Sequence, residues 1–214
     1  MSQAVLFDVD GVLIDSPEVH AWAWANAFRP FGIELPPEKL HIQEGRKSLD
    51  IAREIVADYD LDCSDDMLLD MIAAKRENYR RHAPSGLRDD ARFALTSLKN
   101  SGWKTGLVSG SVKENIEAAI SKADLELFDV KLMAGDYISG KPAPDPFLIA
   151  SRKLKLKPEE CIVIENAPLG IASAKAAGMV VYALTSTLPS DILKEADYII
   201  PDLYCLPELL GSPG

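Results

Sequence analysis

Two aspartates one residue apart, Asp8 and Asp10, follow a short apolar run at residues 4–7 and are themselves followed by Gly11. In an extended chain, side chains two apart point the same way, so a strand ending here would present both carboxylates together. Adjacent carboxylates repel, and a stable pair needs a bound cation or a shared proton. Asp10-Gly11 reads equally as a hairpin turn between AVLFDV and VLI. A calcium loop fits less well, since Val12 stands where an EF-hand pattern requires its next ligand. Three later segments add polar groups. Ser109-Gly110-Ser111 places two hydroxyls and flexible backbone after an apolar run and before a helical stretch, a ready anion site, although Ser111 by itself reads as a helix cap. Lys141 lies in the proline-stiffened turn GKPAPD and, taken alone, is a solvated loop lysine. Glu165 and Asn166 directly follow the apolar IVI; Asn166 could cap the helix after Pro168, but a charge at the end of an apolar strand needs a partner.

These residues need a scaffold that brings strand ends together. Apolar runs bounded by turn residues recur at 4–7, 105–108, 130–133, 161–164 and 179–184, and from residue 105 they alternate with stretches of helical period. That alternation predicts an α/β fold, a Rossmann-like parallel sheet with helices on both faces, whose ligands bind beyond the carboxyl ends of the strands. Val112, Ile116 and Ile120 fall four apart, with Ser111 and Glu114 as a capping box. Residues 171–177 read as a helix closed by Gly178, and residues 190–196 as a short helix opened by Ser190. The interval between the first two strands is too long for one crossover, and its pattern is helical. Ser16-Pro17 starts a helix on which Trp24, Phe28 and Phe31 share a face; Ser64 opens another, lined by Leu68, Met71 and Ile72 and stopped at Ala83-Pro84. Residues 16–86 are therefore expected to form an all-helical cap inserted into a catalytic core of residues 1–15 and 87–214.

Composition narrows the function further. The chain has 214 residues, 47% of them apolar, enough for a sizeable core. Its formal charge of -10 argues against an electrostatic hold on nucleic acid or an anionic membrane, so a phosphate-bearing ligand must be held by a local positive feature or a metal. The N-terminal residues do not read as a secretory signal, and the longest apolar stretch, residues 176–184, is too short to span a bilayer. Three widely spaced cysteines suit neither a disulfide framework nor a zinc knuckle, and a reduced, cytoplasmic setting is expected.

In order and spacing, DxDG, S-G, GKPxPD and ENxPxGI resemble the four motifs of the haloacid dehalogenase (HAD) superfamily, and the helical insert resembles that family's type-one cap. The resemblance implies an Mg2+-dependent phosphomonoester hydrolase working through an aspartyl phosphate. Asp8 would be the nucleophile, and Asp10 the acid that protonates the leaving oxygen and then activates water. Magnesium would be held by Asp8, the Asp10 main-chain carbonyl, Glu165 and Asn166. Ser109 and Lys141 would hold the transferring phosphoryl group, with Gly110 and Ser111 beside them on the substrate side. Many relatives carry two acids where this chain has Glu165-Asn166; an amide oxygen can still ligate a metal but brings no charge.

The cap bears on substrate. Gly45 and Arg46, in the turn before residues 49–56, resemble the family's specificity loop, and read equally as a solvated charged turn. His20, one turn before Trp24, is similar in position to the start of the cap in β-phosphoglucomutases, although such a histidine is more often a packing residue. The mutase's fuller cap signature is not reproduced around Arg46-Lys47-Ser48. The expected partner is a small phosphorylated metabolite, a sugar phosphate or a phosphoglycolate-like acid, with no nucleic acid or membrane partner and a monomer or weak homodimer. A β-phosphoglucomutase remains the alternative within the same chemistry. A true dehalogenase would need neither Asp10 nor a metal, and a non-catalytic phosphate sensor would have no use for a helical insert above its acids.

Overall fold

The computed structural model describes residues 3–43 and 46–213. Its elements run β1 (Ala4–Phe7), α1 (Pro17–Phe28), α2 (Pro37–His41), α3 (Ser48–Asp58), α4 (Asp65–His82), α5 (Asp89–Asn100), β2 (Lys104–Val108), α6 (Lys113–Ala119), α7 (Lys122–Leu125), β3 (Val130–Leu132), α8 (Asp145–Leu154), β4 (Cys161–Glu165), α9 (Pro168–Ala176), β5 (Val180–Leu184), β6 (Tyr198–Ile200) and α10 (Leu206–Leu210). The six strands form one sheet in the order β3-β2-β1-β4-β5-β6, every neighbouring pair parallel. The order reverses beside β1, which is where open α/β sheets leave a crevice for ligand. This is the Rossmann-like fold expected from the alternation of apolar runs and helical stretches.

Period-two alternation sorts β1 between two cores. Val5 and Phe7 pack with Ala94, Leu95 and Leu98 of α5 and Ile116 of α6, whereas Ala4 and Leu6 pack with Phe147 and Ala150 of α8 and Ile171 of α9. Because both faces are covered, β1 reads as an unbroken apolar run. Burial of each such large side chain contributes about 1.5–3 kcal/mol. The helices between residues 17 and 82 hold a third core of their own, built on Trp24 and Phe28 of α1, Ile51 and Ile55 of α3, and Leu68, Met71 and Ile72 of α4. At the start of α4 the Ser64 hydroxyl accepts from the Met67 N–H at 3.2 Å, as its sequence position anticipates.

Several local expectations give way to tertiary contacts. The hairpin reading of Asp10-Gly11 fails, because β1 pairs only with β2 and β4; residues 9–14 instead coil into a turn in which Gly11 N–H donates to the Ile14 carbonyl at 2.8 Å. Ser16 does precede α1 but does not cap it, and the Ser111–Glu114 capping box is not formed, since α6 starts at Lys113 with no side-chain cap. Both hydroxyls bond Asp10 instead. Residues 190–196 make successive turns rather than a helix. Phe31 leaves the face of Trp24 and Phe28, because the chain tightens into a 3-10 turn at Arg29–Phe31 and exposes its ring. β6 was not anticipated, being only three residues long and paired solely at the sheet edge. The three cysteines are free, and no described helix is long and apolar enough to cross a membrane.

Candidate active site

Strand register assembles the first group of residues. Phe7 lies opposite Leu107 on one side and Ile164 on the other, so the residues that follow, Asp8, Val108-Ser109 and Glu165, emerge together at the carboxyl edge. Asp8 N–H still bonds the Ile164 carbonyl at 3.0 Å, and Ser109 N–H bonds the Leu132 carbonyl at 2.9 Å, which fixes both. Lys141 reaches in from the loop before α8. Its Nζ donates to Asp8 Oδ1 and to Glu165 Oε1, each at 2.5 Å, and its side chain is fully buried. The reading of Lys141 as a solvated loop lysine is therefore wrong; a buried ammonium requires counter-charges, and here it has two. Those two carboxylates hold the Lys141 ammonium above its ordinary range, although burial alone would lower it.

Asp8 and Asp10 do not share partners, as two side chains of one strand would. The strand ends at Phe7 and the chain coils away, so Asp8 faces Lys141 while Asp10 turns toward the helices. Asp10 Oδ1 accepts from Ser16 Oγ at 2.6 Å and lies 2.8 Å from His20 Nε2, and its Oδ2 accepts from Ser111 Oγ at 3.0 Å. On the far side of the imidazole, Lys75 Nζ stands 2.8 Å from His20 Nδ1. An ammonium can only donate, so Nδ1 accepts and the proton sits on Nε2, facing Asp10. The His20 ring stacks on Tyr79 with centroids 4.1 Å apart, and Lys75 lies over the Trp24 and Tyr79 rings.

The two aspartates thus have opposite electrostatic surroundings. Burial pushes the Asp8 carboxyl up to about 8, Lys141 opposing and the charges of Glu165 and Asp10 adding to the rise. Asp10 is also buried, but His20, the Ser16 hydroxyl and Lys75 outweigh the burial and hold it well below the usual carboxylate range. Burial and the Lys75 charge lower His20, against the pull of Asp10, and burial lowers Lys75 to about 8.

Two glycines permit this packing. Gly11 adopts φ +82°, and a Cβ there would lie 2.1 Å from Asn166 Nδ2. A Cβ on Gly170, in the first turn of α9, would lie 1.7 Å from Glu165 Oε1. Glu165 Oε2 is fixed by the N–H groups of Asn166 and Ala167 at 2.9 and 3.2 Å. Asn166 does not cap α9, whose N-cap is Ala167; its Nδ2 donates to Thr187 Oγ1 at 2.9 Å. Ser109 is wholly buried, its Oγ accepting from Ser111 N–H at 3.0 Å and its carbonyl accepting from Tyr137 Oη at 2.8 Å.

A pocket opens where the helices meet the sheet edge. Asp10, His20, Arg46, Lys75, Gly110 and Ser111 line it, together with the apolar Trp24, Leu40 and Ile51. Asp8, Lys141 and Glu165 are buried and do not line it. Gly45, expected in the substrate loop, falls outside the described residues. Asp8 and Glu165 offer hard carboxylate oxygens on either side of one ammonium, with the Asn166 amide next in the chain. Two acids, Asp8 and Glu165, flank a single fully enclosed lysine, and this donor chemistry fits a hard divalent cation, which needs only one or two carboxylates plus waters and phosphate oxygens. Among the described residues no three or more His, Cys, Asp or Glu side chains gather as a ready metal cluster, because the Asp10 carboxylate is turned away.

The sequence profile of the haloacid dehalogenase-like hydrolases matches residues 3–178. This chain belongs to that family. Validoxylamine A 7'-phosphate phosphatase of Streptomyces hygroscopicus subsp. limoneus is 31% identical to the hydrolase over 205 residues, covering 95% of each chain. Hexitol phosphatase A of Escherichia coli K12 is 29% identical over 201 residues, 92% of this chain and 90% of its own. The crystal structure of β-phosphoglucomutase from Clostridium difficile shares the fold of the hydrolase with a TM-score of 0.84 at 25% identity, over 96% of this chain and 93% of that one. The hydrolase is thus an enzyme of the HAD phosphatase type.

Reading the sequence alone missed Lys75, Tyr137 and Thr187. Lys75 carried a usable signal: it continues the buried face of Leu68, Met71 and Ile72 on α4, and a lysine in phase with an apolar stripe must find a partner. Tyr137 and Thr187 sit in loops and meet the site only through the fold.

Proposed function

We propose that the hydrolase is a magnesium-dependent phosphomonoesterase acting on a small phosphorylated metabolite through an aspartyl phosphate on Asp8. The observation that carries this reading is the divided pair of acids: Asp8 backed by Lys141 and Glu165, and Asp10 beside the pocket with its own donors. In the first step an Asp8 oxygen bonds to phosphorus and the ester P–O bond breaks, the leaving oxygen taking a proton from Asp10. In the second, water attacks the phosphorus and yields its proton to Asp10, while the bond to Asp8 breaks and releases phosphate. Asp10 as held here is the carboxylate form suited to the second step, with the His20 Nε2–H beside it as a hydrogen-bond donor that orients it, and the proton it takes from the attacking water restores the acid for the next turnover. Lys141, Ser109 and the Gly110-Ser111 backbone would steady the phosphoryl oxygens. A magnesium ion held by Asp8, the Asp10 carbonyl, Glu165 and Asn166 would supply positive charge to the phosphoryl oxygens and return Asp8 to its ionised form.

Residues 16–86 would act as a cap over this edge, hinged at residues 15–16 and 84–86 and closing to exclude bulk water. A β-phosphoglucomutase is the second reading, favoured by the shared fold and by the Lys75–His20–Asp10 chain, which ties the acid to the helical layer and could favour a sugar hydroxyl over water as phosphoryl acceptor. Released phosphate, measured across a panel of phosphorylated metabolites, tests the reading. Turnover should need magnesium, stop on chelation and vanish in a folded Asp8→Asn variant. Full activity in that variant, or in EDTA, would overturn it, and glucose 6-phosphate formed from β-glucose 1-phosphate with a bisphosphate primer would favour the mutase.

A further inference from the structure

The distal part of the pocket says what the substrate carries beyond its phosphate. Among the described residues, the arginine and lysine side chains lining the pocket are Arg46 and Lys75. Neither is available as a bare charge. Lys75 is committed to His20 and sandwiched against Trp24 and Tyr79. Arg46 Nη1 donates to Glu54 Oε2 and to Gln43 Oε1, and Gln43 Nε2 closes the ring by donating to Glu54 Oε1 at 2.5 Å. Glu54, on α3, does not line this pocket; it lines the neighbouring groove with Gln43 and approaches Arg46 from behind. The guanidinium has five donors, and the bonds to Glu54 and Gln43 occupy Nη1, so it can still donate to a substrate oxygen while the half-exposed Glu54 offsets part of its charge. Trp24, Leu40 and Ile51 supply the apolar remainder, which suits the C–H face of a ring or carbon chain.

We propose, resting on the phosphomonoesterase reading above, that the substrate is a monophosphate ester of an uncharged sugar or polyol. Glu54, acting through Arg46, is the positioning residue that disfavours esters bearing a second acid. A carboxylate or second phosphate placed against Arg46 would meet the Glu54 charge just behind it and gain little, whereas a hydroxyl accepts from the guanidinium at no electrostatic penalty. This separates the two substrate types that the sequence left together, sugar phosphates and phosphoglycolate-like acids, in favour of the first.

The test is kcat/KM with magnesium for sorbitol 6-phosphate and 6-phosphogluconate, which differ at the far end by one carboxylate, with p-nitrophenyl phosphate as a general probe. The wild type should favour sorbitol 6-phosphate, and Glu54→Gln should narrow that preference by roughly fivefold, mainly through KM for the acid. Glu54→Asp, which keeps the charge, should stay near the wild-type ratio, an outcome that a merely structural role for Glu54 does not produce. Equal or better use of 6-phosphogluconate by the wild type would overturn the inference while leaving the hydrolase reading standing, and an unchanged ratio in Glu54→Gln would overturn the role of Glu54. Turnover of no ester, p-nitrophenyl phosphate included, would overturn the hydrolase reading and this inference with it.

Discussion

Replacing Lys141 by methionine should destabilise the protein more than any other single change at the sheet edge. Among the described residues its ammonium is the one group bonding both the Asp8 and Glu165 carboxylates, at 2.5 Å each, and its side chain is fully shielded from water. Methionine fills most of the space but leaves two buried carboxylates facing each other without a cation. Removing one partner of a buried ion pair costs roughly 3–5 kcal/mol. For a chain of this length each kcal/mol corresponds to about 2–4 °C of melting temperature, so a fall of about 10 °C is expected in EDTA at neutral pH. The deficit should shrink as pH falls: burial already holds Asp8 up at about 8, loss of the opposing Lys141 charge raises it further above its unfolded value, and acid neutralises the repulsion at the site. Magnesium should restore more stability to Lys141→Met than it adds to the wild type, because it supplies the charge that was removed. Thermal and urea unfolding followed by circular dichroism, with and without magnesium, measures each part. A variant within about 1 kcal/mol of wild type in EDTA would refute the assignment of Lys141 as the charge that holds these acids together.

Gly170→Ala should lower phosphate release by on the order of tenfold or more, since its new Cβ would sit 1.7 Å from Glu165 Oε1 and the carboxylate must move; steady-state assays beside an unfolding curve will separate displacement of Glu165 from loss of the fold. Asp90→Asn should cost about 2–4 kcal/mol in urea titration at pH 7, because the buried Asp90 carboxylate accepts from Arg88 Nε and Nη2 at 3.0 Å each and from the N–H groups of Ala91 and Leu203. Burial raises this carboxyl, but Arg88 and those N–H groups outweigh it and hold it below the ordinary value. Its stabilisation is therefore complete above the unfolded carboxylate pKa of about 3.9 and lost as pH falls below it. The gap between wild type and variant should close in that acid range, and a gap constant with pH would contradict the assignment.

The sequence alone carried five of the six strands and the acids at their ends. An apolar run that stops at a carboxylate is legible because burial on both sheet faces and charge at the edge are properties of residue type and spacing. The same holds for Ser64 at the start of α4, whose partner is three residues away. Ser16 and Ser111 show where such reading stops. Both have the local pattern of a helix cap, yet each gives its hydroxyl to Asp10, because a buried carboxylate competes more strongly for a donor than a helix end that water can reach. Lys141, Lys75 and Glu54 are ordinary charged residues in sequence. Only the folded chain decides that one is enclosed by two acids, another feeds a histidine fifty-five residues away, and the third stands behind a pocket arginine. The physical reason is that a charge is defined by its neighbours in space, and those neighbours come from elements that strand register and helix packing bring together.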